Sequence, residues 1–311
     1  VRLAIAAPRG EAKSTFVSLF FVLWAVLTGR KHYILIIADA LEQAASLLGA
    51  VKDELEFNEA LKRDFPGAGK GHVWNVGTVV TPGNVKIQAL GAGKRMRGLR
   101  HGPHRPDLIV LDDLENDGNV DKPEQRDKLQ SWLQKTVLNL GAADGSMDVV
   151  YVGTLLHYDS VLARTLRKPL WKARTFRSIL RWPDRMDLWD EWESLLSSRG
   201  EAEARRFYRQ HRVKMEAGAE VSWPASRPLY RLMCLRAEDR EAFDSEQQND
   251  PLSANEAPFN GCITFWVDRS RDWLLFGAVD PSLGKQGAGR DPSAILVGGF
   301  LRGSMTLDVV E

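Results

Sequence analysis

The fold is decided by one short stretch, Ala7-Pro8-Arg9-Gly10-Glu11-Ala12-Lys13-Ser14-Thr15, which joins an apolar strand pattern to an apolar helix pattern. A phosphate-binding loop (Walker A) needs a strand, a tight turn of backbone N–H groups, and then Lys and Ser or Thr opening a helix. Lys13 would meet the β- and γ-phosphates of ATP, and Ser14 would hold Mg²⁺. Ala7 and Ala12 stand where the standard pattern has Gly, so an ordinary strand–turn–helix stays open as the alternative.

Adjacent carboxylates, Asp112 and Asp113, follow a second apolar run over residues 108–111. P-loop ATPases place a Mg²⁺-organising Asp beside a base that orients water at such a strand end (Walker B). Asp112 is the expected metal-side acid. Asp113 occupies the position where these enzymes usually carry Glu, and Glu115 is a nearby substitute, so the identity of the base stays open. The alternative is an acidic turn that caps the next helix.

A third polar position, Thr154, ends an apolar run over residues 149–153. Additional-strand ATPases carry a polar residue at this strand tip, where it senses the γ-phosphate. Thr154 is therefore a candidate sensor, and a turn hydroxyl or helix cap is the alternative. His157 is expected to be a turn residue.

Strand and helix patterns alternate through the first 180 residues. Strands are predicted over residues 3–7, 32–38, 85–90, 108–111 and 148–152, with a hairpin near Val79, and helices over residues 13–28, 41–63 and 123–140. This alternation predicts an α/β fold with a mainly parallel sheet. Residues 16–27 are apolar except for Ser18, and we expect a fully buried helix that is too short to span a membrane.

The pattern changes after residue 180. Residues 181–260 are rich in charge, and helices are predicted over residues 188–197, 201–215 and 237–247, with Trp189 and Trp192 in their core. Strand patterns return over residues 273–279, 294–300 and 305–310, where short loops predict an antiparallel meander. We therefore predict an ATPase domain over residues 1–180, a helical linker over residues 181–268 and a further domain over residues 269–311.

Charge and cysteine content narrow the possible partners. The 311 residues carry 42 Lys and Arg against 41 Asp and Glu, so any nucleic-acid surface must be local. Two basic clusters are candidates for DNA contact, with solvated faces as the alternative: Lys94, Arg95, Arg97, Arg100 and Arg105 in one, and Arg164, Arg167, Lys168, Lys172 and Arg174 in the other. Cys234 and Cys262 are the only cysteines and form neither a CxxC pair nor a set with a flanking His pair, so no zinc site or disulfide framework is expected.

The ordered set of motifs resembles the large subunit of the terminase of tailed bacteriophages. The likeness rests on Arg9 four positions before Lys13, on residues 91–100 and 105–113, on the Gly153-Thr154 turn with His157 and Asp159, and on residues 243–251. It implies an additional-strand, RecA-like ATPase that threads double-stranded viral DNA into a procapsid. Arg9 would act as an arginine finger or sensor at the γ-phosphate.

The same resemblance implies partners and a place of action. The motor would be a homo-oligomeric ring on the portal protein, supplied with DNA by a small terminase subunit, in the host cytoplasm and outside the mature virion. Another P-loop DNA translocase or helicase, or an inactive prophage remnant, stays open.

Asp280 ends the first strand of the last segment and resembles the first metal ligand of the ribonuclease-H-like endonuclease of terminases, which cuts concatemeric DNA. Such a site uses two Mg²⁺ or Mn²⁺ ions and several carboxylates. Asp291 resembles a frequent position near that site, with a turn role as the alternative. Both ends of the chain look cut, so we expect the remaining acids to lie beyond Glu311 and the nuclease to be incompetent as given.

Overall fold

A computed structural model of the chain describes residues 1–94, 96, 98–251, 272–280, 294–301 and 306–309. The chain divides into two compact units, Val1–Ser253 and Ala254–Glu311, and each is described by itself. The three-part division into ATPase, linker and nuclease domains stays a prediction.

The first unit combines ten strands with ten helices among the described residues. The strands are β1 (Arg2–Ala6), β2 (Tyr33–Ala38), β3 (Val73–Trp74), β4 (Thr78–Val80), β5 (Lys86–Gly91), β6 (Leu108–Asp112), β7 (Asp148–Gly153), β8 (Lys172–Thr175), β9 (Ile179–Arg181) and β10 (Glu220–Val221). The helices are α1 (Phe21–Leu27), α2 (Leu41–Phe57), α3 (Glu59–Asp64), α4 (Asp117–Val120), α5 (Pro123–Lys135), α6 (Val161–Leu166), α7 (Met186–Arg199), α8 (Glu201–Glu216), α9 (Leu229–Glu238) and α10 (Arg240–Glu246). A π-helical turn, Thr15–Phe20, precedes α1.

Eight strands form one sheet in the order β3-β4-β5-β2-β6-β7-β1-β8. The four pairings from β5 to β1 and the pairing of β1 with β8 are all parallel, and the hairpin strands β3 and β4 add to the β5 side of the sheet in antiparallel fashion. This confirms the predicted α/β fold. Strand β7 lies between β1 and β6, so one additional strand separates the two motifs that the sequence singles out.

The sheet is covered on both faces, which is why its central strands read as continuous apolar runs. Successive side chains of β2 point to opposite faces, and all six of its residues are buried. Tyr33, Leu35 and Ile37 pack in a core that includes residues of α5 and α6, whereas Ile34 and Ile36 pack in a core that includes residues of α1 and α2.

Two helix predictions need correction. The predicted helix over residues 41–63 is broken at Asn58, whose side chain accepts hydrogen bonds from the backbone of Ala60 and Leu61 and so caps α3. The expectation of a fully buried helix over residues 16–27 is wrong. Phe16, Phe20 and Trp24 are 64%, 51% and 46% exposed, because they recur every fourth residue on the face that points away from the sheet.

Residues of α7 to α10 form a third core around two tryptophans. Trp189 and Trp192 are fully buried and meet edge to face with ring centroids 5.5 Å apart. The indole N–H of Trp189 donates to the Met215 carbonyl at 2.8 Å, which satisfies its polar atom inside the core. The prediction that both residues are core is confirmed.

The second unit contains three described strands, β11 (Leu274–Asp280), β12 (Ala294–Leu301) and β13 (Thr306–Val309). They pair in sequence order and antiparallel, as the predicted meander requires. Within the part of the chain that the structure describes, no helix has both the length and the apolar character needed to cross a bilayer.

Candidate functional site

The three predicted motifs meet where the central strands of the sheet end, at their carboxyl termini. Strands β1, β6 and β7 run parallel, with Ala6 beside Gly153 and Val152 beside Asp112 in the register. Their carboxyl ends therefore lie together, and the backbone N–H of Ala7 donates to the Gly153 carbonyl at 2.9 Å. Ligand sites in parallel α/β sheets are built at this edge.

Lysine and serine of the loop contact the two adjacent aspartates. Lys13 Nζ lies 3.1 Å from Asp113 Oδ2, and the Lys13 side chain is only 9% exposed. The Ser14 hydroxyl donates to Asp112 Oδ1 at 3.0 Å. The predicted P-loop and the predicted acidic strand end are thus joined by two direct side-chain contacts.

Asp112 is completely buried at the end of β6. Burial raises the pKa of its carboxyl to about 6, while hydrogen bonds from Ser18 and Ser14 act in the opposite direction. The Ser18 hydroxyl donates to Asp112 Oδ2 and is itself buried. Sequence reasoning missed this residue, although Ser18 is the one polar interruption of the apolar run and follows Ser14 by about one helical turn.

The two alanines that replace glycine in the standard pattern, Ala7 and Ala12, differ in backbone conformation. Gly10 has φ 78°, and Ala12 has φ 57°, in the left-handed region that L-residues disfavour by about 1–2 kcal/mol. Ala12 stands where the pattern has Gly, so this position carries backbone strain. Ala7, the other departure, has no positive φ and needs no glycine.

The two candidate bases, Asp113 and Glu115, differ in the hydrogen bonds that their carboxylates accept. Asp113 is 31% exposed and faces a cavity of about 170 Å³. Glu115 also borders that cavity, but its carboxylate accepts hydrogen bonds from the backbone N–H of Val161 at 2.7 Å and of Leu162 at 3.1 Å. These bonds hold the first turn of α6, and burial raises the Glu115 pKa despite them. Glu115 therefore has a clear structural role.

A second missed residue, Asp39, completes the acidic rim of the cavity. It follows β2, whose last residue, Ala38, lies beside Asp112 in the register, and its N–H donates to the Asp113 carbonyl at 3.3 Å. The side-chain amides of Asn116 and Asn119 donate to its two carboxylate oxygens. The signal was available, because Asp39 stands at the end of a predicted strand.

Thr154 is buried at the tip of β7. Its hydroxyl donates to the carbonyl of Ala7 at 3.2 Å, so it contacts the first residue of the loop. The next backbone N–H, that of Leu155, donates to Asn249 Oδ1 at 2.9 Å. The strand tip is therefore connected both to the loop and to the segment that follows α10.

Arg9 reaches the same cavity but is paired elsewhere. Its guanidinium lies 2.5 Å from Glu246 Oε1, and its backbone N–H donates to the Glu246 carbonyl at 2.9 Å. Its side chain remains half exposed and lines the cavity with Asp113 and Thr154. Arg9 is thus within the site, with a carboxylate as its present partner.

Other predicted residues are placed apart from this site or lie outside the description. Arg164 forms ion pairs with Asp159 and Asp127, and DNA contact by the two basic clusters stays a prediction. Arg95, Arg97 and Asp291 lie outside the described residues, and Asp280 is described only as the last residue of β11. Among the described side chains, no group of three or more His, Cys, Asp or Glu is placed to hold a metal ion.

Comparison with known proteins leaves the family of this chain open. No family model matches it, and no curated protein matches it. Among solved structures, the chain is similar to a large terminase ATPase domain of Thermus phage P74-26, with 13% identity and a TM-score of 0.39 over 81% of this chain and 89% of that chain. Likeness at this level establishes neither family nor function.

Proposed function

We propose that this chain is an ATP-hydrolysing motor of the large-terminase type, which moves double-stranded viral DNA into a procapsid. The observation that carries the ATPase proposal is the pairing of Lys13 with Asp113 and of Ser14 with Asp112 across an additional strand. P-loop ATPases need these residue types together, because catalysis of phosphoryl transfer consists of positioning and electrostatic stabilisation.

The residues present fit a magnesium nucleotide. Mg²⁺ is commonly bound by one or two carboxylates together with substrate phosphates, so a larger protein cluster is not needed. Ser14 and Asp112 would hold the ion, which supplies charge neutralisation on the phosphates when bound. The Lys13 ammonium would leave its ion pair with Asp113 and pair with phosphate oxygens instead. The backbone of residues 8–15 would surround the phosphates.

We propose Asp113 as the residue that orients the attacking water. Its carboxylate is partly exposed to the cavity and loses its cationic partner if Lys13 turns to a phosphate. Glu115 is engaged by two backbone N–H groups, which favours a supporting role. Arg9 would contact the γ-phosphate, and Thr154 would report the state of the loop through its bond to Ala7.

The DNA-packaging part of the proposal rests on the ordered motifs of the sequence. Double-stranded DNA, a portal protein and a small terminase subunit are the partners we propose for a homo-oligomeric ring. Asp280, at the end of the first strand of an antiparallel meander, would be the first acid of a ribonuclease-H-like endonuclease. Another P-loop DNA translocase is the alternative, since it would use the same ATPase site.

The test is ATP binding and hydrolysis with Mg²⁺, with and without double-stranded DNA. We expect Lys13→Ala to abolish turnover and to weaken ATP binding, and we expect Lys62→Ala, on the exposed surface of α3, to behave as wild type. Stimulation by double-stranded DNA supports a translocating motor. A folded wild-type chain that binds no ATP overturns the proposal.

A further inference from the structure

The tip of the phosphate-binding loop is held by the segment that follows the large sheet. Glu11 Oε1 accepts hydrogen bonds from the hydroxyls of Ser178 at 2.6 Å and Ser222 at 2.8 Å. Arg9, two residues earlier, is paired with Glu246. Hydrogen bonds and an ion pair therefore join the loop tip to the segment over residues 178–249, although the two are far apart in the sequence.

Arg227 lies directly against the glycine at the centre of this tip. A Cβ atom added to Gly10 would come within 3.0 Å of Arg227 Cζ and nearer still to Nη2. The absence of a side chain at Gly10 is thus what makes room for the guanidinium, and its φ of 78° is also one that favours glycine. If the loop binds nucleotide as proposed, this guanidinium would lie close to the phosphate oxygens.

Arg227 has no acidic partner among the described residues. Within residues 1–94 and 98–251 it forms no ion pair, and its guanidinium makes one hydrogen bond, from Nη1 to Gln247 Oε1 at 2.6 Å. Gln247 is buried and neutral, and its Oε1 also accepts from Ser178. By contrast, the other two cationic side chains of the loop region have acidic partners, Glu246 for Arg9 and Asp113 for Lys13.

We propose that Arg227 is a phosphate-contacting residue, contributed to the nucleotide site by the segment that carries α9. This inference rests on the proposed function. An arginine presents several N–H groups in a fixed fork that suits phosphate oxygens, and Nη1 is held by Gln247 so that the rest of the fork faces the loop. Bound nucleotide would supply the anion that Arg227 lacks and would draw the segment and the loop together.

The experiment measures the Kd for ATP by calorimetry in four variants, with thermal unfolding as the check on folding. Arg227→Ala and Arg227→Gln remove the charge, and Arg227→Lys keeps it. Arg231→Ala removes an exposed arginine one turn further along the chain and is the matched control. Since a hydrogen bond to a charged group contributes about 1.5–3 kcal/mol, we expect Ala and Gln to bind ATP roughly 10- to 100-fold more weakly, with Lys in between and the control unchanged.

The Arg227→Gln variant distinguishes a phosphate contact of Arg227 from a purely structural hydrogen bond to Gln247. A glutamine amide can still donate to Gln247, so a merely structural arginine would be replaced by Gln without loss of affinity. Wild-type affinity in Arg227→Gln, together with loss of binding in Lys13→Ala, overturns this inference and leaves the proposed function intact. Unchanged ATP binding in Lys13→Ala, or none in the folded wild type, overturns both. A weaker salt dependence of ATP binding in Arg227→Gln than in wild type supports a direct phosphate contact.

Discussion

Lys13 and Asp113 form an ion pair, with Nζ 3.1 Å from Oδ2, that joins the loop after β1 to the end of β6 across the intervening strand β7. The lysine is almost fully enclosed, so its charge requires a close anion. In this structure that anion is Asp113. A phosphate would take its place and leave Asp113 free to hold water.

The first prediction separates the two candidate bases. We expect Asp113→Asn to bind ATP but to lower turnover about 100-fold or more, because a positioned base contributes roughly 10²- to 10⁴-fold. We expect Glu115→Gln to lower turnover less than tenfold and stability by about 1 kcal/mol, since it weakens the carboxylate contact with the first turn of α6. Steady-state turnover and thermal unfolding of both variants measure this, and the reverse ranking in turnover would assign the base to Glu115.

The second prediction concerns the two alanines at the pattern's glycine positions. Ala12→Gly should stabilise the fold by up to about 1 kcal/mol, because relief of the left-handed strain exceeds the added chain entropy. Ala7→Gly should destabilise by about 1 kcal/mol, because Ala7 is buried and has no positive φ. Denaturant unfolding of the two variants should give shifts of opposite sign, and equal shifts would show that the loop conformation is not the cause.

The third prediction tests the finding that one face of the helix after the loop is exposed. Phe20→Ala should lower the free energy of unfolding by no more than about 1 kcal/mol, since half of its side chain is already in water. Leu23→Ala, three residues along and buried, should lower it by about 2–5 kcal/mol. Comparable losses for both would mean that Phe20 is covered in solution.

The sheet and its acidic edge could be predicted from the sequence for physical reasons. Buried parallel strands need continuous apolar runs, and the carboxyl ends of such strands meet at one edge, so Lys13, Asp112 and Thr154 were brought together as expected. Ser18 and Asp39 could have been found by the same reasoning, since each is a polar residue at a helical turn or strand end next to the motifs.

Other features depend on information that the local pattern does not contain. A helix that is apolar all round does not show which face the sheet covers, so the exposure of Phe16, Phe20 and Trp24 could not be read from residues 16–27. The contacts of Glu11 with Ser178 and of Gly10 with Arg227 join residues more than 160 positions apart. Such contacts follow from tertiary packing alone.

The last prediction concerns the pH dependence of stability in the nucleotide-free, metal-free protein. Burial raises the pKa of Asp112 to about 6 from an ordinary value of 3.8, so the folded chain binds this proton more tightly than the unfolded chain does. The stability that this proton provides is fully present below the unfolded pKa and is lost as the pH rises through about 6.

Asp112→Asn should remove this dependence. At pH 8 we expect the variant to be more stable than wild type by roughly 1–3 kcal/mol, because each unit of raised pKa corresponds to about 1.4 kcal/mol, and we expect this excess to disappear towards pH 4. Other groups titrate in both proteins, so the difference between their unfolding free energies isolates Asp112. Magnesium and ATP should stabilise wild type at pH 8 and have a much smaller effect on Asp112→Asn, whereas pH profiles that run parallel from pH 4 to pH 8 would show that the carboxyl is already ionised throughout that range.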